Sequence, residues 1–426
     1  MKQRLSHMAV VALLVLTSVV LLIASCAPAA KTAPAAPQKT IKVGLNLVLT
    51  GTVASSVAPW SYVALAYFRY VNDELGGIEY TGPDGEKDKV MLDVIWEDNA
   101  YSVPKALSIY KRQKEKGIMA HYVISTTPAE PLAEPASRDR IPIMCHGNAS
   151  PVVLGAQPNY VTVAYPSYAD MAATFLEWLK LNWKEARPPK VGFTWVEVPA
   201  VRVGANTMVA VMTPEAIKAK YGAELTMHEY PRVMPTDVTI ELTRLSNAGT
   251  DWVYTTQEIA GAVVLLKDMA RLNLKMNVMV SSASFDESVI RLAGAAAEGV
   301  YGLTLNASPD EDLPGVKLAH KVMRKYYDRD ATLLEVQGLY TAVAFVEGLK
   351  QALQKTGHDG LTREAINDAF HNLKNVDTGG VTSPITVDPN WPVLNTRLRA
   401  AVIKGGKIQP VGDWIQAPVL ELQLPK

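Results

Sequence analysis

Short apolar runs alternate with amphipathic stretches along most of the chain. Residues 41–49, IKVGLNLVL, are apolar with a β-branched start and predict a buried strand. Residues 57–75 carry apolar positions at helical spacing and stop at Gly76 and Gly77, a helix-ending signal. Further strands are predicted at 89–98, 120–126, 141–145 and 160–164, with a helix at 103–116 and a proline-dotted helix after 126. The cadence then restarts. Helices are predicted at 170–183, 204–221, 238–247, 260–273 and 288–292, between strands at 190–196, 224–230, 251–256, 277–282 and 299–305. Three helices follow, at 314–329, 335–355 and 362–373, and the chain ends in turn-rich β structure. Strands alternating with helices imply βαβ units and parallel sheets covered on both faces. Because the alternation runs twice, the pattern predicts two α/β lobes rather than one large sheet. Open α/β sheets bind ligands beyond the carboxyl ends of their strands, so residues just after strands carry the candidate chemistry.

Ahead of this pattern, Lys2 and Arg4 precede an apolar stretch, 8–25, interrupted only by Thr17 and Ser18. That is the layout of a secretory signal. The rival is an anchoring helix, since about 20 apolar residues span a bilayer. No Lys or Arg cluster follows to stop transfer, and Ile23, Ala24, Ser25 and Cys26 resemble a bacterial lipobox. The expectation is a lipoprotein signal peptide over 1–25, a lipid-bearing Cys26, and an Ala/Pro leash over 26–40. Each buried lipid methylene contributes about 0.8 kcal/mol, so two or three acyl chains moor a soluble domain firmly.

Composition narrows the partners. The 426 residues hold 42 Lys plus Arg against 42 Asp plus Glu, with no basic stripe, so nucleic acid is not an expected partner. The basic run at 111–116, KRQKEK, reads as a solvated helix face. Cys26 and Cys145 are too few for a disulfide framework or a structural zinc site. Cys145 and His146 look like a nucleophile and base, yet neighbours on a strand point to opposite faces and cannot bond each other. No nucleophile elbow, phosphate-binding loop, dinucleotide fingerprint or zinc-protease motif is present, and Ser108 with Lys111 lacks its companion motifs. The histidines show no metal-ligand spacing. No metal, cofactor or catalysis is therefore expected.

Several segments carry a family likeness: IKVGLNLVLTGTVASS, FRYVNDELGGI, VIWEDNAYSVPKAL, DWVYTTQEIAGAVVLLKDMARLNL, LAGAAAEGVYG and KIQPVGDW. Together, over residues 42–414, they resemble the leucine/isoleucine/valine-binding-protein family, the type I solute-binding proteins of branched-chain amino acid ABC importers. The resemblance implies a type I periplasmic binding protein, with two doubly wound parallel-sheet lobes joined by three hinge crossings. These are placed near 161–165, 301–305 and 380–386, giving lobe 1 as 41–163 plus 304–382 and lobe 2 as 164–303 plus 383–426. It also implies an extracytoplasmic, lipid-anchored monomer that closes on a small molecule by hinge motion and presents it to a membrane permease.

The same likeness places the site. Ser125, Thr126 and Thr127 match the hydroxyl-bearing loop after the third parallel strand, whose donors suit a carboxylate; the bare residues equally read as an N-cap. Residues 145–151 match a loop in which Gly147 offers a carbonyl to an ammonium. Ala149 stands where the family has a hydroxyl, with Asn148 and Ser150 able to compensate. The aromatic expected after the first strand falls at Ser56, with Trp60 one turn on. The second-lobe tyrosine loop falls near Arg202, and the carboxylate that takes an α-ammonium falls near Ser282. Glu258, next to Gln257, is the nearby acid able to replace it. A buried ammonium without a partner costs several kcal/mol. Either Glu258 supplies the charge, or the ligand is an amide or a carboxylate without an amine, which Arg202 would favour if it faces the cleft. A ligand-sensing receptor of the same fold is the alternative to a transport component.

Overall fold

The computed structural model describes residues 38–420, so the signal, Cys26 and most of the leash lie outside the described residues. Two sheets organise the chain. The first contains β1 (Thr40–Leu47), β2 (Ile78–Thr81), β3 (Lys87–Asp98), β4 (Ala120–Ile124), β5 (Ile143–Asn148) and β6 (Val161–Tyr165), in the order β2-β3-β1-β4-β5-β6. Its strands are parallel except β2, which pairs antiparallel with the start of β3. The second contains β7 (Lys190–Thr194), β8 (Glu224–Glu229), β9 (Trp252–Thr255), β10 (Asn277–Val280), β11 (Tyr301–Thr304), β12 (Arg397–Lys404) and β13 (Lys407–Gln416), in the order β13-β12-β11-β10-β9-β7-β8. Here β12 and β13 form an antiparallel edge on a parallel sheet.

The two α/β lobes inferred from periodicity are therefore present, each a parallel-dominated sheet with packed helices. In the first, Phe68, Tyr122 and Phe345 meet edge to face with centroids 5.4–5.6 Å apart, joining helix Ala54–Asp73, β4 and helix Leu333–Thr356. Gly338 lets those two helices touch. A Cβ there would lie 2.6 Å from Val63 Cγ1 and 3.0 Å from Trp60 Cα. In the second, Phe175 of helix Tyr168–Asn182 stacks on Tyr254 of β9 at 5.5 Å.

Local signals explain most element ends. Ser167 and Asp170 form a capping box at helix Tyr168–Asn182, and Thr332 with Glu335 forms one at Leu333–Thr356. Two expectations are corrected and one strand was missed. The helix predicted at 204–221 is two helices, Pro199–Val211 and Pro214–Tyr221, because Pro214 has no N–H to continue the ladder and Thr213 caps the new start. The short β2 went unpredicted, since four residues carry too little alternation to register. The chain returns to the second sheet through 392–395, where Val163 N–H donates to Pro392 O and Leu394 and Asn395 N–H donate to Val163 O and Ala164 O. The stretch 380–386, expected to cross, instead pairs Ile385 with Val376 and sets Val381 O on Ala307 N–H.

In each sheet the strand order reverses direction at one point: between β1 and β4 in the first, and between β7 and β9 in the second. The carboxyl ends of these strands define where a ligand sits.

Candidate functional site

At the first reversal, Asp98 ties the chain after β1 to that after β3: its carboxylate accepts Leu49 N–H and Ala100 N–H at 2.9 Å and the Thr50 hydroxyl at 2.6 Å. This turn presents Tyr101, whose hydroxyl donates to Thr127 Oγ1 at 3.0 Å. Ser125 ends β4 with a φ of 76°, a left-handed conformation that costs a non-glycine residue, and its N–H is held by His146 O at 2.9 Å. Thr126 Oγ1 accepts Asn148 N–H at 2.7 Å. Gly147 is dictated by packing, as a Cβ would lie 2.7 Å from Thr126 Oγ1 and 2.8 Å from Cys145 Sγ. Asn148 Nδ2 donates to Pro166 O at 2.9 Å, buried Ala149 donates its N–H to Tyr165 O at 2.9 Å, and the Ser150 hydroxyl donates to Glu130 Oε1 at 3.1 Å. The predicted loop residues of the first lobe are thus brought together, but the Thr126, Thr127 and Ser150 side chains bond within that lobe.

The second reversal supplies the acid. Glu258 is the N-cap residue of helix Ile259–Arg271 and is 8% exposed. Ser56, on helix Ala54–Asp73 of the first lobe, accepts Ile259 N–H at 3.0 Å and hydrogen-bonds the Glu258 carboxylate, so these predicted residues meet across the seam between the lobes. Burial pushes the Glu258 carboxyl up to about 7, opposed by the Ser56 bond. Its Oε2 has no partner among the described residues. The Tyr101, Tyr165 and Tyr168 phenols all feel its charge. Gln257 is fully buried, with Nε2 donating to Pro231 O at 3.4 Å and Oε1 unpartnered.

Other predicted residues stand apart. Trp60 is buried in the first lobe, with Nε1 donating to Gln337 Oε1 at 2.9 Å and its ring 4.6 Å from His146. Ser282 is buried against Met171 Sδ at 3.5 Å. Arg202 does not offer a free charge: it pairs with Glu197 and lies 4.3 Å over the Tyr230 ring. Cys145 and His146 do point apart. The thiol donates to Ser125 O at 3.6 Å, while His146 Nδ1 meets Thr341 Oγ1 at 2.8 Å. Burial pushes the His146 imidazole down to about 3 and the Cys145 thiol well above its usual range.

Sequence reasoning missed Tyr101, Tyr168 and the acid pair Asp286 and Glu287. Asp286 and Glu287 follow β10 and accept Leu334 N–H at 3.5 Å and Leu333 N–H at 3.1 Å, a second bridge from the second lobe to the first. Tyr101 was signalled only by its place three residues after Asp98, a strand end.

Two doubly wound α/β lobes, with polar residues from both meeting at the carboxyl ends of their strands, define a two-lobed binding protein. The chain belongs to the periplasmic binding protein family, whose profile matches residues 40–407. This is a family of extracytoplasmic solute binders, not enzymes. Among solved structures, the chain is similar to a branched chain amino acid ABC transporter protein from Thermus thermophilus with bound valine: 21% identity, 90% of this chain and 98% of that one, TM-score 0.75. It is similar to a solute binding protein of an ABC transporter from Rhodopseudomonas palustris BisB5 in complex with 3,4-dihydroxy benzoic acid, at 17% identity over 90% and 98% of the two chains, TM-score 0.70. It is also similar to a fatty acid ABC transporter substrate-binding protein from Thermomonospora curvata, at 19% identity over 91% and 97%, TM-score 0.71. A search of curated proteins gave no significant match. Among the described residues no helix is long and apolar enough to cross a membrane, and no group of His, Cys, Asp or Glu forms a metal site.

Proposed function

We propose that the protein is the solute-binding component of an ABC importer, and that its solute carries a protonated amine received by Glu258. The observation behind this is the Glu258 carboxylate, buried at the seam with one oxygen unpartnered. An ammonium supplies both the missing donor and the missing counter-charge. The lobes close over the solute, with Ser56 of the first lobe meeting the second lobe at Glu258 and Ile259. The closed form is what the permease reads. Cys26 is the lipidated anchor, the protein works as a monomer, and the leash gives it reach above the membrane. A carboxylate solute is the second reading. It is favoured by the raised Glu258 carboxyl, which in its protonated form donates a hydrogen bond.

A thermal-shift screen against amino acids, amides and aromatic acids tests the choice. Solute at about 100 times its Kd stabilises the native state by about 2.7 kcal/mol. Amine-bearing solutes raise Tm under our reading; a rise with benzoates or fatty acids alone contradicts it. Metabolic labelling with a fatty acid marks the protein if the anchor is lipid, and Cys26→Ala abolishes the label; a membrane-bound native protein that takes up no label refutes that assignment.

A further inference from the structure

One hydroxyl at the first-lobe strand ends keeps a proton to give. Thr126 Oγ1 accepts Asn148 N–H at 2.7 Å and turns its own proton toward Asn148 O at 3.4 Å. The Ser150 hydroxyl donates to Glu130. Thr127 Oγ1 accepts the Tyr101 hydroxyl at 3.0 Å, and its side chain makes no other bond among the described residues. A hydroxyl that accepts on its oxygen still has its O–H to donate. Helix Thr126–Ala129 packs against helix Pro199–Val211 of the second lobe, which brings this loop to the seam.

The phenol that acts on Thr127 is held by a costly turn. Ala100 and Tyr101 have φ of 53° and 60°, two left-handed non-glycine residues in succession. Such a turn persists only where its surroundings fix it, and it belongs to sites more often than to plain loops. Here Asp98 holds Ala100 N–H, and Asn99 Oδ1 accepts Tyr101 N–H at 2.7 Å. Asn99 Nδ2 donates to Asn46 Oδ1 at 2.8 Å, and Asn46 Nδ2 to Ala106 O at 2.9 Å, so the turn is anchored on two fully buried amides. Gly51 makes room for it, since a Cβ there would lie 2.3 Å from Ala100 O. Burial, with the Glu258 charge, pushes the Tyr101 phenol up to about 12, so it keeps its proton to donate. Resting on the solute-binding reading above but not on its amine, we infer that Tyr101 is a positioning residue: its bond into Thr127 turns the threonine O–H toward the seam, where it donates to a carboxylate oxygen of the solute. A hydrogen bond to a charged acceptor is the strong kind, and a donor that is itself hydrogen-bonded is polarised further. An amino acid then spans the seam, with its amine on Glu258 and its carboxylate on Thr127.

Titration calorimetry on the purified full-length protein tests this with L-valine, L-leucine and L-phenylalanine, their decarboxylated counterparts isobutylamine, isoamylamine and phenethylamine, and benzoate. At least one amino acid binds about tenfold or more tighter than its amine, the scale of one hydrogen bond to a charge. Tyr101→Phe keeps the ring and narrows that ratio about fivefold. Thr127→Val removes the preference, Thr127→Ser keeps it, and Tyr101→Phe has no further effect on the ratio in the Thr127→Val background. A purely structural role for the phenol would weaken amino acid and amine alike and leave the ratio unmoved, which overturns the inference. An effect of Tyr101→Phe that persists in full beside Thr127→Val overturns it too. Amino acids binding no tighter than their amines also overturn it and leave Glu258 as the ammonium partner. Benzoate binding alone, weakened by Tyr101→Phe, overturns the ammonium reading and keeps the assignment of Tyr101; benzoate binding alone and unweakened overturns both. Binding of no carboxylate in the panel overturns the assignment of Tyr101.

Discussion

Glu258 is the residue on which the functional reading turns, and its protonation sets two opposite pH dependences. Without solute its carboxyl titrates at about 7, above the ordinary carboxylate value, because burial disfavours the charge. A raised carboxyl contributes stability that is full below its unfolded value and is lost as pH rises through the folded value. The Tm of the solute-free protein therefore falls between about pH 5 and pH 8, and Glu258→Gln flattens that fall and raises Tm at pH 8 by a few degrees. Amine affinity runs the other way: flat above about pH 8 and falling about tenfold per unit below about pH 6, as the acceptor is protonated. Glu258→Gln weakens amine binding about 30-fold or more, the usual loss when one partner of a buried charge pair is removed. A Tm profile and a calorimetric pH series on the two proteins check these outcomes. Ser125 offers an independent test of geometry. Its φ of 76° is a conformation glycine adopts freely, so Ser125→Gly stabilises by about 1 kcal/mol in denaturant titration. A loss of stability would show that the serine side chain, not the backbone, is what the loop needs.

At the scale of elements, most of the architecture was legible because burial imposes periodicity. Buried parallel strands read as apolar runs, and capped helices announce their starts at Ser167 and Thr332. The split at Pro214 was also written in the chain, since proline after Thr213 marks a helix start as clearly as an interior kink. The passage at 392–395 was not legible. It is held by backbone bonds to β6 that depend on residues more than two hundred positions away, and no local pattern encodes them. The site divides the same way. Ser56, Thr126 and Gly147 were placed by the family likeness, and Glu258 as the acid that follows a predicted strand; Gly147 lies inside β5, where no pattern of apolar positions marks it. The fate of Arg202 depended on Glu197 and Tyr230, and the role of Tyr101 on Thr127, pairings that only the fold creates. Gly338 gives a prediction at this scale. Gly338→Val forces apart helices Ala54–Asp73 and Leu333–Thr356 and destabilises by about 3 kcal/mol, with Ser56, at the start of the first helix, displaced and solute affinity lost alongside. Unchanged stability on thermal denaturation would mean that the helices do not meet so closely.

For the molecule as a whole, hydrogen bonds among the described residues link the lobes at Ser56 with Glu258 and Ile259, and at the acid pair Asp286 and Glu287 with the first turn of helix Leu333–Thr356. The second bridge joins helix Leu333–Thr356 and does not involve Glu258, so its removal tests the open–closed balance separately from the proposed ammonium partner. Replacing both acids, Asp286→Ala with Glu287→Ala, shifts the solute-free protein toward the open form. Small-angle scattering then shows a larger radius of gyration, and solute affinity falls about three- to tenfold through the lower closed population. An unchanged radius and affinity would assign those bonds to local packing. The central claim is that a solute lodges between the lobes with its amine on Glu258. The most direct measurement is a crystal structure of the protein with the tightest-binding amine from the calorimetric panel. The account predicts an amine nitrogen within about 3 Å of Glu258 Oε2, in a seam closed by Ser56. A solute carboxylate facing Glu258, or a solute seated outside the seam, would contradict it.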